Sequence, residues 1–327
     1  MTKPAREIGP AELESALLGG ERRYTRQQVA EITGVAPPES RRLWRAMGFA
    51  DVEDDAVVFT DGDIDALRTV LELSEDNLID ERTRIAMTRA LGQSLARLAD
   101  WQLGELDVLL NERAEPPSAE QALAIAQRLV PIMERLLVYV WRRKLAAAAG
   151  RALAASTDEL SPGQLVVGFA DLVGFTDVTR QLDEDGLAVL VDRFESVSSD
   201  VVAQIGGRIV KTVGDEVLFV TDDPAAAAEI ALRLVEEMAA DPVLPPVRAG
   251  LARGTVLTRL GDVYGSVVNI ASRLTSLARS DTVLVDLELA AALADDERFD
   301  LRPMRRRSVG GYEHLAPTRL RRRPAAP

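Results

Sequence analysis

The sequence has no cysteine, which removes disulfides, thiol nucleophiles and thiolate metal sites from consideration. Its single histidine, His314, excludes a multi-histidine metal centre and a histidine-based triad, and is most simply a surface residue. Aromatic residues make up only 4%, so Leu, Val, Ile and Ala must supply most of the packing. No apolar run approaches the roughly 20 residues that cross a bilayer, and residues 1–20 carry no signal pattern. Together these absences predict a soluble cytoplasmic protein. Basic residues are the minority, 39 against 52 acidic, for a net charge of −13. That balance argues against a mainly electrostatic grip on nucleic acid. It leaves room for a small anionic substrate held by metal ions and a few local cations.

The chain is 327 residues long and 47% hydrophobic, enough for two domains with separate cores. Residues 1–150 read as helical, with Leu67, Val70 and Leu71, then Leu91, Leu95 and Leu98, at helical spacing. Pro116-Pro117-Ser118 breaks the chain before a further amphipathic helix, which carries Pro131 and runs into Trp141-Arg142-Arg143-Lys144. Residues 151–163, ending in Ser161-Pro162-Gly163, read as a linker. Over 164–327 the pattern changes to short strands alternating with helices. Strands are expected at 165–170, 208–213, 216–220, 247–251 and 282–285, and helices near 185–204, 223–240 and 267–278. This predicts an α/β or α+β sheet with helices packed on it.

Two acidic residues fall where strands end. Asp171 closes the run Phe169-Ala170-Asp171-Leu172-Val173-Gly174-Phe175-Thr176, and Asp215 sits in the turn of Lys211-Thr212-Val213-Gly214-Asp215-Glu216. Alone, the first reads equally as a helix N-cap and the second as a plain turn residue. If their strands are neighbours, the two carboxylates converge and suit two Mg²⁺ or Mn²⁺ ions about 4 Å apart. Gly174 and the helix start after it offer backbone N–H groups to a triphosphate. Further along, Asn269 and Arg273 are four residues apart and share a helix face. An amide and a guanidinium so placed can orient a ribose and meet a phosphate oxygen; the pair also fits an ordinary exposed polar face.

Three segments in order resemble the signature motifs of class III adenylate and guanylate cyclases: 169–176, 210–216, and Asp262-Val263-Tyr264-Gly265 through Asn269 to Arg273. The resemblance covers roughly 163–320. It implies a ferredoxin-like catalytic domain, a central and mostly antiparallel sheet with flanking helices, behind an all-α regulatory domain. It also implies that Asp171 and Asp215 hold two metal ions, that Lys211 and Asp262 read the base, that Asn269 orients the ribose, and that Arg273 stabilises transition-state charge. Metal and Asn/Arg residues then come from different subunits of a homodimer. Lys211 donates and Asp262 accepts, which matches the acceptor N1 and donor amine of adenine. Guanine has the reversed pattern, so ATP is the expected substrate and cyclic AMP and pyrophosphate the products. Ser308-Val309-Gly310-Gly311 lacks the lysine that many members carry in the last hairpin, leaving Arg305, Arg306 and Arg307 as candidate triphosphate ligands.

The N-terminal half is similar to the regulatory domain of some actinobacterial soluble cyclases, whose members include pH-responsive enzymes. Its start, residues 24–72, resembles the helix-turn-helix and wing of MerR-type DNA-binding domains. Arg41, Arg42 and Arg45 would face phosphates, yet Asp51, Glu53, Asp54, Asp55, Asp61 and Asp63 would repel them. DNA is therefore not the expected partner. This half has no histidine, which argues against a histidine-based pH switch. A small apolar ligand of the helical domain is a further expectation. A DNA-binding regulator with a nucleotide-sensing C-terminal half, and a diguanylate cyclase suggested by Gly214-Asp215-Glu216, are the competing readings.

Overall fold

A computed structural model describes residues 10–74, 78–111, 118–157, 164–259, 261–309 and 312–323. The chain forms two compact units, Met1–Ala149 and Gly150–Pro327.

The first unit is helical. It comprises α1 (Pro10–Leu18), α2 (Arg26–Thr33), α3 (Pro37–Met47), α4 (Asp61–Glu72), α5 (Glu81–Asn111) and the start of α6 (Ala119–Thr157). Local chemistry sets its boundaries. Thr25 and Gln28 form a capping box on α2, and Gly34 ends that helix in a left-handed conformation. Thr60 and Asp63 cap α4 in the same reciprocal way. Val29, Leu43, Trp44, Phe59, Ile64 and Leu67 form a small core. Over it, the buried Arg26 lies 3.0 Å from Asp54. The stretch expected to be a linker, 151–163, is helical as far as Thr157. Its alanines explain this, because Ala is the strongest helix former and the stretch 146–157 has seven of them against a single Gly150 and no proline. Residues 158–163 lie outside the described residues, as do Pro116-Pro117 and Gly310-Gly311.

The second unit is a layered α+β fold. In chain order it contains β1 (Gln164–Leu172), α7 (Phe175–Thr179), α8 (Glu184–Ile205), β2 (Arg208–Val213), β3 (Glu216–Thr221), α9 (Pro224–Ala240), β4 (Val247–Thr255), β5 (Leu257–Arg259), β6 (Asp262–Tyr264), α10 (Ser266–Leu277), β7 (Thr282–Val285), α11 (Leu287–Ala292), β8 (Phe299–Pro303), β9 (Arg307–Val309), β10 (Tyr312–Leu315) and β11 (Thr318–Arg322). A seven-stranded sheet runs β2-β3-β1-β4-β7-β11-β8. Only the β4–β7 pair is parallel; every other pairing in it is antiparallel.

Strand alternation sorts β1 onto two faces. Val166, Ala170 and Leu172 join the large core beneath α8 and α9, which includes Phe194, Phe219, Ile230 and Met238. Val167 and Phe169 point the other way, into a second core with Val267 and Ala271 of α10. Gly250 lets α10 lie close on β4, since a Cβ there would stand 2.2 Å from the Thr275 amide nitrogen.

Candidate active site

Asp171 is next on the face that carries Val167 and Phe169, at the end of β1. Its strand neighbours are Glu216 on β3 and Arg248 on β4. The β2–β3 turn brings Asp215 alongside: its carbonyl accepts from the Leu172 amide at 3.0 Å. The central pairing on which convergence of the two carboxylates depended is therefore present. Arg248 donates its Nε to Asp171 at 2.7 Å. Sequence reasoning missed Arg248. Registering 247–251 against β1 would have found it, because the arginine then falls directly opposite the aspartate.

This corner is electrostatically loaded. Burial, with the nearby Asp215 charge, raises the Asp171 pKa above the usual carboxylate range, and Arg248 opposes the rise. Burial, then the Asp171 and Asp215 charges, pushes Glu216 up to about 7. Such crowded, partly desolvated carboxylates are hard oxygen donors whose repulsion a divalent cation would relieve, so the donor set fits the expected metal. Among the described residues, no three carboxylate or imidazole groups already form a metal cage. Two aspartates would therefore need backbone or substrate oxygens to complete a coordination sphere. Gly174, at φ 77°, precedes the short α7, with no side chain capping that helix.

The base-reading candidates lie on the same sheet face. Lys211 stands opposite Leu218 of β3, next to the second core. Its Nζ is 2.6 Å from Asp262 Oδ2, which links β2 to the β5–β6 hairpin. Burial works to raise the Asp262 pKa, but the Lys211 contact and the Val263 amide outweigh it and hold the carboxyl below its ordinary value. Both side chains stay partly open, at 46% and 25% exposure, so a ligand can reach them.

Asn269 and Arg273 lie on α10 and are exposed. Neither side chain makes a hydrogen bond or ion pair among the described residues, and α10 turns Val267, Ala271, Leu274 and Thr275 inward instead. The chain thus brings Asp171, Asp215 and Glu216 together, and Lys211 with Asp262, but leaves Asn269 and Arg273 reaching outward. Arg305 and Arg306 are exposed beyond β8. The side chains of Arg307 and His314 lie outside the described residues.

In the helical unit, the arginines expected to face phosphates are already engaged. Arg41 pairs with Asp54 at 2.8 Å, Arg45 donates its Nε to Asp51 at 2.9 Å, and Arg42 pairs with Glu81. A cleft of about 1020 Å³ between α1 and α6 is lined by Glu12, Glu14, Arg22 and Glu134 as well as by Leu18, Leu123 and Val130. Such a lining does not select an apolar ligand.

Comparison with known proteins fits this geometry. Residues 160–318 match the adenylate and guanylate cyclase catalytic domain. The chain belongs to the class III adenylate and guanylate cyclase family. Within it, the similarity to actinobacterial enzymes extends through both units. A Streptomyces coelicolor protein named adenylate cyclase is 46% identical, over 95% of this chain and 89% of its own. A Streptomyces griseus adenylate cyclase is 47% identical, over 86% and 71%. One from Glutamicibacter nicotianae is 39% identical, over 95% and 81%.

Proposed function

We propose that this protein is an adenylate cyclase that converts ATP to 3′,5′-cyclic AMP and pyrophosphate at sites shared between two copies of the chain. The carrying observation is the Lys211–Asp262 pair: a donor beside an acceptor, partly exposed, on the sheet face that also bears Asp171. That pattern complements adenine, and guanine would leave both groups mismatched. Asp171 and Asp215 would hold Mg²⁺ or Mn²⁺, two ions per site. When bound, the ions supply charge neutralisation on the triphosphate and acidify the attacking hydroxyl. Arg248 is freed from Asp171 to meet the polyphosphate, a cation for a site whose last hairpin carries no lysine at 308–311.

Asn269 orients the ribose so that its 3′-oxygen faces the α-phosphorus in line with the departing pyrophosphate. Arg273 answers charge that grows at the α-phosphoryl oxygens, so it acts on turnover more than on ATP affinity. Their outward reach supports a site completed by the second subunit, with two equivalent sites per symmetric dimer. The helical unit controls the dimer through α6, and its self-paired arginines support a protein-packing role over DNA binding. Among the described residues, no helix is long and apolar enough to cross a membrane.

Mixing tests the shared site. Asp171→Ala and Arg273→Ala are each expected to be inactive. After subunit exchange, half of the dimers are mixed and each has one intact site, so about one quarter of wild-type activity should return. Verified mixed dimers without activity would overturn the shared site. Failure of the wild type to make cyclic AMP from ATP with Mn²⁺ would overturn the activity itself.

A further inference from the structure

The last two strands of the sheet, β11 and β8, carry arginines on both faces, and the two faces treat them differently. Leu320 of β11 and Phe299 and Leu301 of β8 point into the large core under α9. Arg322, two residues beyond Leu320, shares that face. Glu229 and Glu236 of α9 hold it there at 2.8 and 2.6 Å. Arg319 and Arg321 alternate onto the opposite face. Strand register sets Arg319 between Leu284 of β7 and Arg302 of β8, and Arg321 beside Asp300. Leu284 packs with Leu274 and Ala278 at the end of α10, and Arg279 follows directly. Four arginines thus gather on the α10 face. Asp300 is the one carboxylate that β8 and β11 place among them, and Arg302 takes it at 2.9 Å. The side chains of Arg279, Arg319 and Arg321 make no hydrogen bond or ion pair among the described residues, and Arg319 Nε is buried without a partner. Burial, then the charges of Arg321, Arg302 and Arg279, lower the Arg319 pKa. The guanidiniums repel one another, in a chain whose net charge is −13. An anion would relieve that repulsion.

We propose that Arg279, Arg302, Arg319 and Arg321 form a binding site for a free oligophosphate anion, of the pyrophosphate or tripolyphosphate class, apart from the catalytic corner. Neighbouring strands stand about 5 Å apart and alternate residues on one strand about 7 Å, so the footprint suits two or three linked phosphates better than one. Guanidiniums keep their charge and fork onto phosphate oxygens two at a time. The partial burial of Arg319 strengthens its share of the attraction. A long polyanion fits less well, because DNA would have to continue over a surface of strongly acidic balance. Within one chain β4 and β7 lie between β11 and β1, which puts the arginines roughly 14 Å from the strand of Asp171. The site does not depend on the roles assigned to Asp171 or Lys211.

Titration calorimetry of the full-length protein with tripolyphosphate tests the site, in EDTA so that no metal ion bridges the anion to the aspartates. The wild type is expected to bind one tripolyphosphate per chain, and sulfate at equal ionic strength about tenfold more weakly or worse. Arg319→Gln combined with Arg321→Gln should weaken tripolyphosphate by about tenfold or more. Arg279→Gln and Arg321→Gln, taken singly, guard against misfolding, since neither side chain is held by a partner; each should weaken binding by about threefold or more. Arg248→Gln identifies where the anion sits. Unchanged affinity keeps it on the four arginines. A loss equal to that of the double variant would place it on the catalytic polyphosphate contact and overturn the proposal. Equal affinity in the wild type and every arginine variant, sulfate binding as tight as tripolyphosphate, or tighter binding of a short DNA duplex at the same salt would overturn it as well. Cyclic AMP formation bears on the catalytic reading alone, and its failure would leave this titration untouched.

Discussion

Gly250→Ala tests how tightly α10 is set on the sheet. Gly250 pairs with Phe169 on β1 and Leu284 on β7, at the centre of the sheet. An added Cβ would lie 2.2 Å from the Thr275 amide nitrogen and 2.6 Å from both the Ala271 carbonyl and the Thr275 hydroxyl. Two of these three are backbone atoms and cannot swing aside. To restore ordinary contact, α10 must retreat by about 1 Å from a close-packed surface. Overpacking of this kind costs about 1–3 kcal/mol. The same helix carries Asn269 and Arg273, the proposed ribose and phosphate contacts, and on that proposal a displacement of about 1 Å lowers turnover by roughly 10²-fold. The assay is urea unfolding followed by two signals. All three tryptophans, 44, 101 and 141, lie in the Met1–Ala149 unit. Their fluorescence transition should stay in place, while the far-UV circular dichroism of the catalytic unit shifts to lower urea. Gly104→Ala, on α5 with nothing near its Cβ position, is the control and should stabilise by up to about 1 kcal/mol. A Gly250→Ala protein with wild-type circular dichroism midpoint and turnover would refute the reasoning.

Further outcomes follow from the same contacts. Arg248→Ala removes the cation beside Asp171 and leaves crowded carboxylates uncompensated. It should lower the metal-free urea midpoint, more at pH 8 than at pH 6, and cut turnover with ATP. Lys211→Glu combined with Asp262→Ser should reduce cyclic AMP formation by about 10²-fold or more and admit GTP, as product analysis with each nucleotide will show. Asp286 is nearly buried, and burial pushes its pKa up to about 6. Since the folded pKa exceeds the unfolded one, its contribution is fully present below about pH 4 and is lost as pH rises through about 6. Asp286→Asn keeps a side-chain acceptor for the Leu289 amide and should flatten that part of the stability–pH curve, for up to about 3 kcal/mol at neutral pH.

The sequence made the central fold legible where its periodicity was strong. Strands 208–213 and 282–285 fall at the expected residues, because β-branched runs bounded by Gly and Asp leave little ambiguity. Of the β8–β11 region only the hairpin around 308–311 was expected, from the family resemblance. Its strands are rich in arginine; among the described residues Phe299, Leu301 and Leu320 face the large core and Leu315 packs on the Leu274 cluster. The β5–β6 hairpin was hidden for a similar reason: of its described residues only Val263 is buried. The extent of α6 was missed because small residues near 150 read as a junction, although alanine favours helix. At the site, Asp171 and Asp215 could be placed from strand ends alone. Arg248 could not, because its significance comes from register between strands 77 residues apart. The outward reach of Asn269 and Arg273 followed from their spacing, since i and i+4 share a face and the apolar residues of α10 define the opposite one.

The Lys211–Asp262 contact acts as a latch already fastened before any nucleotide arrives. Each partner satisfies the other at 2.6 Å, so opening it without an equivalent replacement is uphill. If the pair reads the base as proposed, adenine offers an acceptor for Lys211 and a donor for Asp262 at once. On that reading a nucleotide with the wrong edge would break the latch and return nothing, so discrimination would fall at entry, before the ribose hydroxyl is brought to the phosphate.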